Sequence, residues 1–147
     1  MEILLREIDK TNWEECIELK VKKEQENFIV SNLYSIAEMQ FLPGFESYGI
    51  YLNEIMIGFT MFGVDPDDGN YWIYRIMTDQ KFQNQGFGKA ALLKVIEEIE
   101  KKENRTNFIF IGYNPDNENA KRLYKSVGFV EMGIAPWGEM IVKYTIN

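Results

Sequence analysis

The chain has 147 residues, of which 46% are hydrophobic and 27% charged, with a formal net charge of −7 and a sequence pI near 4.7. This length fits one domain spanning residues 1–147, and it can bury a core without disulfides or a structural metal. The chain has no histidine and one cysteine, Cys16, which excludes Ser-His-Asp and Cys-His nucleophile systems, His-ligated zinc and an internal disulfide.

Hydrophobic patterning divides the first half of the chain into a strand, two helices and three strands. Residues 2–8 predict a strand, and residues 11–23 and 31–41 predict short helices. Their expected apolar stripes contain Trp13, Ile17, Leu33, Ile36 and Ala37. Strand-like runs follow at 47–52, 55–63 and 71–78, and Asn53-Glu54 fits a two-residue hairpin turn between the first two.

The second half begins with the longest helical pattern, at 87–103, whose apolar stripe is Leu92, Val95, Ile96 and Ile99. The continuous apolar run 107–113 is typical of a buried central strand. A helix at 117–127 and strands at 129–134 and 139–146 complete the chain. The order βααβββαβαββ predicts a mixed, mostly antiparallel sheet with helices on both faces, in the α/β or α+β class.

Charge and hydropathy indicate where the protein works and what it binds. The N-terminus lacks the basic and apolar regions of a signal peptide, and no apolar stretch reaches the roughly 18 residues of a membrane span. An acidic chain without a basic tract is also a poor nucleic-acid binder. We therefore expect a cytoplasmic protein without nucleic-acid or membrane partners.

The negative charge is concentrated in one half of the chain. Residues 1–70 carry 5 Lys or Arg against 14 Asp or Glu, a net of −9, whereas residues 71–147 carry 11 against 9, a net of +2. Either these are ordinary solvated faces, or the first half suits a cationic partner while the second tolerates an anionic one.

The most informative sequence is the glycine-containing turn between the strand at 71–78 and the long helix. Gly86 and Gly88 allow a tight turn and a close approach of ligand to backbone. The helix N-terminus adds free N–H groups and partial positive charge, so an anion such as pyrophosphate fits there. The alternative is that the glycines serve only the geometry of the turn.

Two common phosphate-binding motifs fit this turn poorly. Gly86, Gly88 and Ala91 match the dinucleotide pattern G-x-G-x-x-A, but residues 105–114 lack the acidic residue that pattern expects about 20 positions later. A P-loop needs four residues between its glycines and Ser or Thr after the lysine, whereas Ala90 follows Lys89 here.

The Q-x-x-G-x-G element from Gln83 to Gly88 resembles the acetyl-coenzyme A pyrophosphate motif of the GNAT superfamily of N-acyltransferases. A second element, with Asn117, Ala120, Leu123-Tyr124 and Gly128-Phe129, is similar to that superfamily's later helix and following strand. Both elements lie at the usual separation, and the order of strands and helices is also similar.

A narrower resemblance is to bacterial spermine/spermidine N-acetyltransferases. It is carried by Arg75–Asp79 leading into Lys81–Gln83, and by the N-terminal segment Val21–Glu38. It implies that a polyamine amine attacks acetyl-CoA directly in a ternary complex, with no metal. Alternatives are another small amine, an aminoglycoside or a protein N-terminus as acceptor, or a non-catalytic CoA-binding module.

The superfamily resemblance also implies roles for particular residues. Backbone groups of Ile76, Met77 and Thr78 would bind the pantetheine arm and the acetyl carbonyl. The element from Gln83 onward would hold the pyrophosphate; its members are Gln83, Gln85, Gly86, Phe87, Gly88 and Lys89. Asn117 would also contact the cofactor. Lys121 and Arg122 would approach the CoA phosphates; the alternative for both is an ordinary solvated helix face.

Tyr124 occupies the position of the superfamily's general acid, a phenol that protonates the departing thiolate; otherwise it is a core tyrosine. Many relatives have an acid in the strand before the glycine turn, but this chain has Arg75 there and Asp79 only at the strand end. Glu139 is therefore our candidate base, with Glu24 and Glu54 as alternatives.

Acceptor binding is assigned to one acid and three aromatic side chains that can contact an ammonium group through cation–π interaction. They are Glu24, Tyr34, Tyr74 and Trp137. Core packing is the alternative role for each aromatic residue. An edge strand predicted near the C-terminus offers a surface for a homodimer.

Overall fold

A computed structural model describes residues 2–146, and its elements follow the predicted order. The strands are β1 (Ile3–Glu7), β2 (Glu46–Leu52), β3 (Ile55–Val64), β4 (Tyr71–Thr78), β5 (Phe108–Tyr113), β6 (Val130–Ile134) and β7 (Met140–Thr145). The helices are α1 (Trp13–Glu18), α2 (Asn32–Glu38), α3 (Phe87–Glu100) and α4 (Glu118–Val127). Short 3-10 turns lie at Lys23–Gln25, Met39–Phe41 and Gln80–Phe82.

Seven strands form one sheet in the order β1-β2-β3-β4-β5-β7-β6. Every neighbouring pair is antiparallel except β4 and β5, which are parallel. The predicted mixed, mostly antiparallel sheet is therefore confirmed. β6 is an edge of this sheet, with Val130, Met132 and Ile134 exposed, and a homodimer at this edge stays a prediction.

The sheet separates two hydrophobic layers because side chains alternate along its strands. Phe59 and Met61 of β3 pack in a cluster with Cys16 of α1, whereas Phe62 packs with α3 and α4. The predicted stripe of α3 is confirmed, since all four of its residues are buried: Leu92, Val95, Ile96 and Ile99. In the part of the chain from residue 2 to residue 146, no helix is long and apolar enough to cross a membrane.

The first two helices are shorter than predicted, and their apolar stripes are partly wrong. α1 ends at Glu18 because Leu19 is extended and the chain turns toward the end of β4. There the Lys20 amide donates to Asp79 Oδ1 (2.9 Å), and the Gln80 amide donates to the Lys20 carbonyl (2.7 Å). A backbone docked in this way cannot continue the helical hydrogen-bonding pattern.

Trp13, Leu33 and Ala37 are exposed, whereas the buried positions are Cys16, Asn32 and Ser35. The Asn32 amide nitrogen donates to the carbonyl of Cys16 (2.9 Å), so one polar side chain joins the two helices inside the protein. Burial raises the pKa of the Cys16 thiol to about 12. A thiol that remains protonated is a poor nucleophile, so Cys16 has a packing role.

β4 and β5 are paired along only part of their length. Their register covers Tyr71↔Ile109, Trp72↔Phe110 and Ile73↔Ile111, and beyond Ile73 the two strands separate. A bulge against β3 falls at the same place, where Met61↔Arg75 is followed by Phe62↔Ile73 and Tyr74 is the extra residue. β4 remains paired with β3 as far as Thr78. The edge of β4 that faces β5 is therefore open from Tyr74 to Thr78.

Candidate active site

A groove of three adjoining cavities lies along the open edge of β4. The first cavity, about 410 Å³, lies beside the glycine turn and is called the turn end. The second, about 300 Å³, shares Tyr124 with the first and is called the junction. The third, about 340 Å³, shares Arg75 and Glu139 with the second and is called the acidic end.

The turn end combines an open strand edge with the N-terminus of the 14-residue helix α3. Gly86 is the residue before the helix and has φ of +85°, a conformation that glycine adopts without strain. Gly88 faces the cavity, where a Cβ atom would lie 3.6 Å from Thr78 Oγ1 and 3.9 Å from Leu123 Cδ2. This combination of free backbone N–H groups and an uncovered backbone suits a phosphate or pyrophosphate.

Gln83 holds the turn in place. Its amide nitrogen donates to the Thr78 carbonyl (3.0 Å) and to Gln25 Oε1 (3.0 Å). Gln25 Oε1 also accepts from the amide of Lys22 (3.1 Å). One glutamine therefore joins the end of β4, the glycine turn and the N-terminal segment that borders the groove.

Most of the residues predicted to contact the cofactor line the turn end. They are Ile76, Met77, Thr78, Gln83, Gly86, Gly88, Lys89 and Asn117. Two others can contribute only backbone groups, since the Gln85 side chain turns back to the Lys81 carbonyl (3.4 Å) and the Phe87 side chain is buried. Lys121 lines a different cavity with Lys125 and Glu131, whereas its neighbour Arg122 lines the turn end.

Tyr124 is shared by the turn end and the junction, and it is 6% exposed. Its ring packs between Tyr113 (5.5 Å between centroids) and Phe129 (5.8 Å). Burial, with smaller effects of Tyr113 and Glu139, raises the pKa of its hydroxyl well above the ordinary value. The hydroxyl therefore stays protonated near neutral pH and can serve as a proton donor.

Glu139 is placed at the border between the junction and the acidic end. Its Oε1 accepts from the indole N–H of Trp137 (2.7 Å). The same oxygen lies over Gly112 of β5, where a Cβ atom would come within 2.7 Å of it. A bare glycine therefore makes room for this carboxylate inside the groove.

Among residues 2–146, four carboxylates surround the acidic end, and Arg75 is the one cationic residue that lines it. The carboxylates belong to Glu38, Asp65, Asp67 and Glu139, and the aromatic lining to Trp72, Tyr74 and Trp137. Arg75 donates to Glu38 Oε1 (2.9 Å), and the Tyr74 hydroxyl donates to Asp65 Oδ2 (2.7 Å). This excess of negative charge beside aromatic faces suits a cationic ligand.

Two residues predicted to bind the acceptor lie outside the groove, although Tyr74 and Trp137 line it. Glu24 is exposed in a 3-10 turn, Tyr34 is 56% exposed on α2, and neither lines any of its three cavities. Glu54 pairs with Arg6 (3.1 Å), and the Asp79 oxygens accept from the amides of Lys20 and Lys81. Neither Glu54 nor Asp79 lines the groove.

Sequence reasoning missed three of the acidic-end carboxylates: Glu38, Asp65 and Asp67. Glu38 ends α2, and the two aspartates belong to a loop that looks like an ordinary turn in the sequence. The charge imbalance between the two halves of the chain and the polyamine-enzyme resemblance of Val21–Glu38 both indicated a cationic partner, but neither assigned these three carboxylates to acceptor binding.

Residues 6–129 match the acetyltransferase (GNAT) family. The chain belongs to this family. This membership agrees with the two sequence elements that resemble GNAT motifs.

One relative of this GNAT protein is the spermine/spermidine N(1)-acetyltransferase of Bacillus subtilis (strain 168), which is 24% identical over 135 residues covering 88% of each chain. Among solved structures, the aminoglycoside acetyltransferase AAC(6')-Ib in complex with coenzyme A has a TM-score of 0.80 at 20% identity, covering 98% of this chain and 95% of that one. RimL, a ribosomal L7/L12 alpha-N-protein acetyltransferase in complex with coenzyme A, has a TM-score of 0.78 at 15% identity, covering 98% of this chain and 94% of that one.

Proposed function

We propose that this GNAT acetyltransferase transfers an acetyl group from acetyl-CoA to a primary amine of a polyamine, by direct attack in a ternary complex. The observation that carries the proposal is the groove itself, which has an anion-binding turn at one end and a surplus of carboxylates at the other. The relative named for spermine and spermidine supports the choice of acceptor.

The turn end fits acetyl-CoA, which when bound supplies the activated acetyl group. Backbone amides from Gln85 to Lys89 hold the pyrophosphate at the N-terminus of α3. The open edge of β4 at Ile76, Met77 and Thr78 offers backbone groups to the pantetheine arm and the acetyl carbonyl. Asn117 and Arg122 add contacts from α4, whereas Lys121 lines a different cavity.

Proton transfer is assigned to the junction. An alkylammonium group has a pKa near 10.4 and must lose a proton before its nitrogen can attack. The Glu139 carboxylate, oriented by Trp137, accepts this proton directly or through a water molecule. The Tyr124 hydroxyl lines the same cavity and donates its proton to the leaving sulfur.

The acidic end binds the remainder of the acceptor. Glu38 is already paired with Arg75, so Asp65 and Asp67 are the carboxylates that face a second ammonium group. Trp72, Tyr74 and Trp137 provide surfaces for the methylene chain and for cation–π contact. A polycation therefore uses more of this groove than a monoamine does.

Release of coenzyme A in the steady state, measured with a panel of amines, tests the proposal. The panel contains spermine, spermidine, a monoamine of similar length, an aminoglycoside and a peptide with a free N-terminus. We expect the highest kcat/KM for spermine or spermidine. Good turnover of the peptide or the monoamine, without acetylation of either polyamine, would overturn the polyamine assignment and leave the acetyltransferase assignment intact.

A mutant of the proposed base extends this test. Glu139→Gln keeps the size and polarity of the side chain but removes its ability to accept a proton, so kcat should fall about 100-fold. Glu24→Gln, outside the groove, is the matched control and should change little. Equal activity of the two variants would exclude Glu139 as the base.

A further inference from the structure

We infer that Arg75 selects acceptors by length. It lies at the border between the junction and the acidic end, so the second ammonium group of an acceptor must extend past it to reach Asp65 and Asp67. This inference rests on the proposed function and names the form of cation that the site prefers. The preferred acceptor has two cationic groups separated by an uncharged spacer that passes Arg75.

Arg75 is fixed in the groove rather than free in solvent. The bulge of β4 comes directly before it, and its side chain, 17% exposed, lines both the junction and the acidic end. Its guanidinium donates to Glu38 Oε1 and to the Tyr74 carbonyl, each at 2.9 Å. Its Nε is buried and, within residues 2–146, lacks a hydrogen-bond partner, so the surroundings impose this position on the side chain.

The charged residues are distributed unevenly between the junction and the acidic end. Glu139 and Arg75 line both cavities, whereas Asp65 and Asp67 line only the acidic end. Asp65 is held by the Tyr74 hydroxyl and by the amide of Asp67 (2.8 Å). Because Glu38 is engaged by Arg75, the negative charge left for an acceptor is divided between Glu139 and the aspartate pair.

This division has different consequences for short and long diamines. With one amine at the junction, a short diamine places its second ammonium beside the Arg75–Glu38 ion pair, where the guanidinium offsets the attraction of the carboxylate. A long diamine extends past Arg75 and reaches the two aspartates. A monoamine has no second ammonium group, so it gains nothing from Asp65 and Asp67.

The test compares kcat/KM for 1,3-diaminopropane and 1,8-diaminooctane at constant ionic strength, with octylamine as a monoamine reference. For the wild type, we expect the long diamine to exceed the short one by about tenfold or more, since only the long diamine reaches Asp65 and Asp67. Arg75→Gln frees the Glu38 carboxylate and should reduce this ratio to about threefold or less, mainly by improving the short diamine. Arg75→Lys keeps the charge and should retain the preference.

Asp67 provides a second test that does not disturb Arg75. Asp67 is exposed, and Asp67→Asn should lower kcat/KM for the long diamine about threefold, with a smaller change for the short one. Glu103→Gln, an exposed site outside the groove, removes the same charge and should change neither. If Arg75→Gln fails to fold, the Asp67 comparison decides the matter.

Each outcome separates this inference from the function it rests on. A length preference that persists in Arg75→Gln, or an equal loss for both diamines in Asp67→Asn, overturns the role of Arg75. Wild-type turnover without any dependence on length overturns this inference alone. No turnover of any amine overturns the proposed acceptor class, and this inference with it.

Discussion

The turn end and the acidic end of the groove are built in different ways. At the turn end, the binding surface is mainly backbone, supplied by the edge of β4 and the N-terminus of α3. At the acidic end, it consists of side chains from α2, β4 and the loops before β4 and β7. We therefore expect the turn end to depend mainly on its glycines, and the acidic end to change its acceptor preference through single substitutions.

The largest effect is expected where the two ends meet. Tyr124→Phe removes one hydroxyl and keeps the ring packed against Tyr113 and Phe129. We expect kcat to fall about 100-fold, with little change in the affinity for acetyl-CoA, because the hydroxyl acts on the leaving group. Pre-steady-state kinetics would show whether chemistry limits turnover. Normal rates in the chemical step would leave Tyr124 as a packing residue.

The next effect separates binding from stability at the turn end. Gly88→Ala adds a methyl group to the wall of the cavity at ordinary distances from its protein neighbours. Alanine favours a helix over glycine by up to about 1 kcal/mol, so the melting temperature should not fall. Acetyl-CoA affinity, measured by calorimetry, should drop about tenfold because the methyl group occupies ligand space.

Gly86→Ala is the counterpart of that variant. A Cβ atom there meets no protein atom within 4 Å, but φ of +85° is strained for alanine. Stability should therefore fall by about 1 to 2 kcal/mol. If Gly88→Ala bound acetyl-CoA normally, the cofactor would not lie against Gly88.

The glycine turn was predictable because its chemistry is contained in a few consecutive residues. Gly86 and Gly88 at the start of a helix indicate an anion-binding turn, and this inference does not depend on how the rest of the chain folds. The order of strands and helices was predictable for a similar reason, since the stripe of α3 and the apolar run of β5 are local patterns.

The acidic end was predictable only in part because distant residues form it: the sequence analysis named Tyr74, Trp137 and Glu139, but not its other three carboxylates. Nothing near Glu38 in the sequence indicates that it pairs with Arg75, 37 positions later. Glu24 was predicted to bind the acceptor, yet it lies in a 3-10 turn outside the groove. Lys121 and Arg122 are adjacent in sequence, and only the rotation of α4 decides which one lines the turn end.

Salt should weaken the binding of a polyamine at the acidic end more than the binding of a monoamine. The Debye length falls from about 10 Å at 0.1 M to about 3 Å at 1 M, so attraction to exposed carboxylates weakens. The KM for spermine should rise with ionic strength more steeply than the KM for a monoamine of similar length. Equal slopes for the two amines would mean that the acidic end does not bind the second charge.

The smallest effect concerns stability at high pH. Burial, with added effects of Asp65 on Tyr74 and Glu46 on Tyr48, raises the pKa of both phenols above the ordinary value near 10. The folded state therefore holds these protons more tightly than the unfolded chain, and this stabilisation is lost as pH rises above about 10. Urea unfolding between pH 8 and 11 should show a decline that Tyr74→Phe makes shallower. Tyr34→Phe, at an exposed position, is the control.

The division of the groove between an anionic and a cationic ligand is tested most directly by a crossed set of Michaelis constants. Gly88→Ala and the double variant Asp65→Asn/Asp67→Asn would each be assayed with acetyl-CoA and spermine. The account predicts that Gly88→Ala raises the KM for acetyl-CoA alone and that the double variant raises the KM for spermine alone. Parallel changes in both constants for either variant would contradict it.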